Sequence, residues 1–221
     1  EYERTLALGL QRIAVVHVDD SFGADLLQGA NKGFASIGKQ PQFVAKFDRA
    51  KWEFGEIAAR VKSSNTQAVL FIGSGTAVAD GIEAIRKAGS RAQIITNSNN
   101  ASGGFVKSLG ANAAGTIVTQ VFPSERALSS PFVKEATDLA KAKGVDTLSP
   151  AMLEGFAGAK VLVAGLQKAG ANPTRVKLRE ALEGLNRLDI GGLEVGFGPA
   201  DHTGLDFVDL SIIDASGRFK R

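Results

Sequence analysis

From Arg12 to Pro123, short runs of β-branched and apolar residues alternate with amphipathic stretches, and the alternation repeats five times. Such a rhythm marks βα units closing a parallel sheet. The first run, IAVVHV at 13–18, is apolar without a break, as suits a strand buried on both faces. A helical stripe of Phe22, Leu26, Leu27, Ala30, Phe34 and Ile37 follows it. The second strand is expected around Phe43 to Phe47, and the next helix should bury Phe54, Ile57, Ala58 and Val61. The third strand, 68–72, leads through GSGT to a helix carrying Val78, Ile82 and Ile85. QIIT at 93–96 is the fourth strand, followed by an Asn- and Ser-rich loop and a short helix to Leu109. TIVTQVF at 116–122 is the fifth, ended by Pro123.

Beyond Pro123 the rhythm stops. A polar stretch at 124–131 precedes three helical patterns with no strand between them: Phe132 to Lys143, Pro150 to Ala169 and Pro173 to Leu185. The Asn172-Pro173 pair reads as the cap and first-turn residue of the last. GLEVGFG at 192–198 and FVDLSIID at 207–214 alternate as strands, the latter before an Ala215-Ser216-Gly217 turn. The fold class is therefore α/β: a doubly wound parallel sheet with an appended region of helices and strands.

Composition narrows the chemistry. The chain has 221 residues, 44% of them hydrophobic and 22% charged, and no apolar run approaches the roughly 20 residues of a membrane-spanning helix. Its 26 Lys and Arg against 23 Asp and Glu are scattered, which argues against nucleic-acid binding. With no cysteine, disulfides, thiolate metal sites and a cysteine nucleophile are excluded, and two histidines leave little for a metal. Absence of cysteine suits cytosol and periplasm alike. EYERTLALGL, residues 1–10, lacks the basic start and cleavage site of a secretory leader, so an exported chain would already be processed.

In doubly wound sheets ligands sit beyond the carboxyl ends of the strands. The loops after strands one, three and four are VDDSFG, GSGT and NSNNAS, and the last two offer amides, hydroxyls and carboxamides at helix starts. Asp19-Asp20 resembles the acidic pair of phospho-receiver domains, but strand three ends in Gly73 and strand five in Phe122-Pro123, where such a domain needs Asp and Lys. A solvated pair or a helix cap is the better reading. GSGTAVADG lacks the third glycine of a dinucleotide fingerprint and follows the wrong strand. A hydrolase would need a base, and the candidates are His17, inside a buried strand, and His202, in what reads as a surface turn, GPADHTG. Trp52 reads as a staple packing on the preceding strand.

Taken together, RIAVVHVDDSFGADLLQGANKGF, QAVLFIGSGTAVADGIEAIRKAG, IITNSNNASGGFVKSLG and AMLEGFAGAKVLVAGLQKAG resemble the type 1 periplasmic binding proteins of the branched-chain amino acid group. The most telling pieces are the turn at Asp20 to Gly23, the turn at Ile72 to Thr76, the helix at Gly155 to Lys160 and the D-x-x-G turn after it. That resemblance implies a two-lobed receptor, not an enzyme, that clamps a small solute in an inter-lobe cleft and hands it to an ABC permease. Periplasmic location, no cofactor and no metal go with it. A ligand-sensing regulatory domain of the same fold is the alternative.

The resemblance also implies an organisation: 10–123 as the core of the C-terminal lobe, 124–198 as helices and a strand returning to an N-terminal lobe of which most is missing, and 199–221 as hinge strand and tail. Without that lobe, the 150–169 helix should expose Met152, Phe156, Val161 and Val163 or bury them in a homo-oligomer. Carried over residue by residue, the family's contacts fall on Phe22 after strand one, on Ser74, Gly75 and Thr76 after strand three, and on Asn97, Ser98 and Asn99 after strand four. The family's acid, which meets the ligand ammonium, has no counterpart at 97–99. A buried cation without a counter-charge is costly, so the expected solute is a carboxylate or amide without an ammonium, unless Asp19 or Asp20 compensates.

Overall fold

Apolar alternation within the first strand decides how the sheet is covered. In the computed structural model, which describes residues 9–221, β1 (Ile13–Val18) is buried from end to end. Its even positions Ala14, Val16 and Val18 join one core with Phe47, Phe54, Phe71 and Ile82. Its odd positions Ile13 and Val15 join a second with Phe34, Ile72 and Ile95. A strand with both faces packed needs helices on both sides, and the connections supply them.

Two compact units make up the chain, one running to Gln120 and resuming at Leu210–Arg221, the other spanning Val121–Asp209. In the first, α1 (Ser21–Ser36), β2 (Val44–Phe47), α2 (Gly55–Ser63), β3 (Ala68–Ile72), α3 (Gly75–Lys87), β4 (Gln93–Thr96), α4 (Gly103–Leu109) and β5 (Ile117–Gln120) follow β1 in order. Leu26, Leu27 and Phe34 of α1 lie on one face of the sheet, while Ala58 and Val61 of α2 and Val78, Ile82 and Ile85 of α3 lie on the other. Phe47, Phe54 and Phe71 pack with centroids 5.1 to 5.8 Å apart, Phe54 and Phe71 edge to face and Phe47 tilted against both. Each fully buried side chain of this size is worth about 2 kcal/mol.

Pairing among β1 to β5 is parallel, and β9 (Asp209–Ile213) and β10 (Phe219–Lys220) complete a sheet ordered β10-β9-β5-β4-β3-β1-β2. The order reverses at β1, between β2 and β3, so the switch point lies at the ends of β1 and β3. Gln120 Nε2 donates to Ser211 Oγ at 2.7 Å, and that hydroxyl to the Val118 carbonyl at 3.2 Å, all within the buried seam of β5 and β9. The turn from β9 to β10 is built on Asp214. Its Oδ1 accepts from the Ser216 hydroxyl at 2.7 Å and from the Arg218 N–H at 2.9 Å, and these donors hold its carboxyl down at about 2.

The second unit holds α5 (Pro131–Ala142), α6 (Pro150–Ala169), α7 (Arg175–Glu183) and a three-stranded sheet of β6 (Leu188–Asp189), β7 (Glu194–Gly198) and β8 (Asp201–Gly204). Its core gathers Phe132, Val133, Leu153, Ile190 and Val195. Phe132 stacks on Phe122 at 5.9 Å and meets Phe156 at 5.3 Å.

Several expectations are corrected here. Phe22 is not on the buried stripe of α1, since it occupies the first turn and is 36% exposed. The cap of α7 is Thr174, whose Oγ1 accepts from the Lys177 N–H at 3.2 Å, so the helix starts after the Asn172-Pro173 pair and not within it. His202 lies in the strand β8 rather than in a turn, paired through Gly196 with Gly204 and Gly198 with Asp201. Four residues expected along one apolar face of α6 part company: Met152 and Val163 are exposed, at 40% and 53%, whereas Phe156 and Val161 pack on the core of their unit. The reading of EYERTLALGL falls, through residue 8, outside the described residues.

Candidate functional site

A ladder of carboxamides joins the loop after β3 to the loop after β4. Thr96, the last residue of β4, donates through Oγ1 to the Phe71 carbonyl at 2.8 Å and accepts from Asn100 Nδ2 at 2.8 Å. Asn100 is 1% exposed, and its Nδ2 also donates to the Gly73 carbonyl at 3.1 Å while its Oδ1 accepts from the Gly75 N–H at 3.0 Å. Asn97 Oδ1 accepts from the Gly73 N–H at 3.3 Å, Asn99 Nδ2 donates to the Gly73 carbonyl at 3.3 Å, and the two amides bond each other. Between them the three asparagines meet the backbone of Gly73 and Gly75 and hold the start of α3 against the 98–100 turn. A side chain at Gly73 would force its neighbours to shift, because its Cβ would stand 2.9 Å from the side chains of Phe47 and Val78.

Gly75 adopts φ +58, the left-handed region where glycine is favoured, and that turn starts α3. Ser74 is its N-cap residue in extended geometry, and its hydroxyl makes no cap bond to the helix. It stands 3.5 Å from Arg49 Nη1 instead. Thr76 is exposed on the first turn.

The loop after β1 is organised by Asp20. It caps α1, Oδ1 accepting from the Gly23 N–H at 2.9 Å, and its Oδ2 takes the Nε–H of Arg49 at 2.5 Å. Arg49 first, then the Gly23 amide, hold its carboxyl below the usual carboxylate range. Phe22 presents its ring 5.9 Å from the Arg49 guanidinium carbon. Asp19 is paired with Lys46 at 2.9 Å. Thus Phe22 and Ser74 are linked through Arg49, and Asn97 and Asn99 meet Gly73, and Asn100 meets Gly73 and Gly75, through the asparagine ladder, whereas among the described residues Ser98 bonds there only through its backbone carbonyl, to the Ala101 N–H.

Arg49 and Asn100 were missed as candidates. Asn100 lies within the NSNNAS loop, next to the three residues named there as contacts, and Arg49 lies two residues past the end of β2, the one strand of the first four whose loop the sequence reading leaves out. The remaining candidates take bland roles. Asp20 is a helix cap, as expected. His17 is buried, with Nδ1 2.9 Å from the Val18 carbonyl oxygen, and His202 Nε2 is 3.3 Å from Glu183, each in a different unit. Trp52 is half-buried and donates through Nε1 to Asp80 of α3 at 3.0 Å. Among the described residues no three His, Cys, Asp or Glu side chains gather to hold a metal, and no helix is long and apolar enough to cross a membrane.

The sequence matches the periplasmic binding protein family over residues 5–211. The chain belongs to that family. Solved structures of this class share its fold. A substrate-binding periplasmic protein from Ralstonia solanacearum is 26% identical with a TM-score of 0.85, over 99% of this chain and 63% of its own. A protein from Rhodopirellula baltica described as a possible leucine/isoleucine/valine-binding protein is 24% identical, TM-score 0.85, over 99% and 62%. A type 1 periplasmic binding protein from Bordetella pertussis is 17% identical, TM-score 0.83, over 98% and 62%. This periplasmic binding protein chain therefore spans less than two thirds of the length of the relatives it matches, and its sheet is that of the type 1 fold. A search of curated proteins by sequence finds no match.

Proposed function

We propose that the chain serves in an extracytoplasmic receptor that captures a small polar organic solute, a branched-chain amino acid or a related carboxylate or amide, and delivers it to an ABC permease. The solute-binding residues in this reading are Phe22, Ser74, Gly75, Thr76, Asn97, Ser98 and Asn99. Residues 10–123 supply the core of the C-terminal lobe, 124–198 are helices and a strand that return to the N-terminal lobe of the intact receptor, and 199–221 are its hinge strand and tail. The observation that carries the reading is the convergence of three polar strand-end loops at the switch point of a periplasmic-binding-protein sheet, where open α/β sheets take their ligands. Nothing in these loops proposes a reaction. Among the described residues of these loops no nucleophile is paired with a base.

A thermal-shift panel on the intact protein tests this. Branched-chain amino acids, aromatic and aliphatic carboxylates and their amides are compared at concentrations up to 10 mM. A solute present at 100 times its Kd stabilises the native state by about 2.7 kcal/mol, a rise in Tm of roughly 5–10 °C. At least one class is expected to give it. A flat panel would contradict the receptor reading.

A further inference from the structure

With no acid at 97–99, the loop after β4 offers no partner for an ammonium, and the fold brings Arg49 to the strand ends beside Asp20. Arg49 projects from a turn fixed by Asp48, whose Oδ1 accepts the N–H groups of Ala50 at 2.7 Å and Lys51 at 2.8 Å. The guanidinium is tethered at one point. Its Nε donates to Asp20, and Asp20 is in turn fixed to the first turn of α1 through Gly23. A guanidinium carries five N–H donors, and a two-point fork is its strongest way of holding a carboxylate. Here the Asp20 bond uses only Nε. The terminal edge of Nη1 and Nη2 meets one neighbour among the described residues, the Ser74 hydroxyl at 3.5 Å, and the side chain is 52% exposed.

The surrounding acids are otherwise engaged. Asp19 is paired with Lys46, Asp48 with backbone amides, Asp80 with Trp52, and the two oxygens of Asp20 each accept a hydrogen bond. An aromatic face, Phe22, lies 5.9 Å from the guanidinium carbon, and a hydroxyl, Ser74, lies 3.5 Å from Nη1. An apolar wall, a hydroxyl and an open two-donor edge are what a small organic carboxylate needs for packing and for charge-assisted bonding.

We infer that Arg49 is a specificity-determining residue of this site, selecting solutes that turn a carboxylate toward it. The inference rests on the receptor reading above and names its solute class: organic acids, in place of zwitterionic amino acids whose ammonium would face Arg49. The test is titration calorimetry on the intact protein with matched probes, phenylacetate against phenylacetamide and succinate against succinamate, with L-leucine alongside. In the wild type the carboxylate of at least one pair is expected to bind tenfold or more tighter than its amide, a comparison that needs no variant. Arg49→Gln should weaken that carboxylate by about ten- to a hundredfold and leave the amide within about twofold, while Arg49→Lys keeps part of the preference. If leucine or the amides bind as tightly as the acids, or if Arg49→Gln changes no Kd, the receptor stands and the role of Arg49 falls. If neither leucine nor any probe binds the wild type, the receptor reading itself falls.

Discussion

Alanine at Gly23 should destabilise the first unit by about 3 kcal/mol or more, the largest effect expected of any single methyl in α1. A Cβ there would stand 1.8 Å from the Val18 carbonyl oxygen and 2.9 Å from its carbon. Neither atom can turn aside as a flexible side chain would, because Val18 is the last residue of a central strand. The first turn of α1 must lift away, and it takes with it the bond from the Gly23 N–H to Asp20, a cap worth about 1 kcal/mol. Gly29, on the same helix, is the control. Nothing lies within 4 Å of its Cβ, so Gly29→Ala should be neutral or stabilising by about 0.5–1 kcal/mol through helix propensity. Urea unfolding of the two variants measures both. Equal stabilities would mean that α1 does not approach β1 so closely, and the placement of Phe22 and Asp20 would fail with it.

The second large effect is expected at Asn100. Its side chain makes three hydrogen bonds in a fully buried setting, to the Gly73 carbonyl, the Thr96 hydroxyl and the Gly75 N–H. Asn100→Ala leaves the Gly75 amide without its acceptor and removes two donors, which should cost about 2–4 kcal/mol. Gly73 keeps Asn97 and Asn99, so the loop loosens without unfolding. The loss should be local as well as global: hydrogen exchange at Gly75 ought to accelerate well beyond the change set by global stability. If exchange at Gly75 follows global unfolding alone, the ladder is not what holds the β3 and β4 loops together.

Local pattern carried the sheet well. The bounds of β1, β3 and β4 follow directly from apolar runs, because burial on both faces leaves few polar residues to blur the ends, and α6 runs from Pro150 to Ala169 as expected. Elements held by little apolar burial were harder. β8, with the sequence DHTG, has no buried residue, and β10 has two residues, so neither shows a period to read. Thr174 and Asn172 are both good cap residues, and only the Thr174 bond to Lys177 chooses between them.

The strand-end loops of the candidate site were legible in outline. They could be named because position after a parallel strand is a local property, yet their connections join residues 24 to 29 positions apart in sequence. Nothing within a short window announces that Arg49 will reach Asp20, or that Asn100 will be buried where Asn99 is exposed. A signal for Arg49 existed in principle, a cation just past the end of β2, beside the switch-point strand β1, and it shows only when every strand-end loop is inspected.

Solute binding at the carboxyl ends of β1 to β4 is the central proposal. Its most direct test is amide hydrogen exchange of the intact protein with and without a solute selected by the thermal-shift panel. Protection concentrated at residues 19–23, 49–51, 73–77 and 97–100 is the predicted result. Protection confined to other segments, with these loops unchanged at saturating solute, would contradict it.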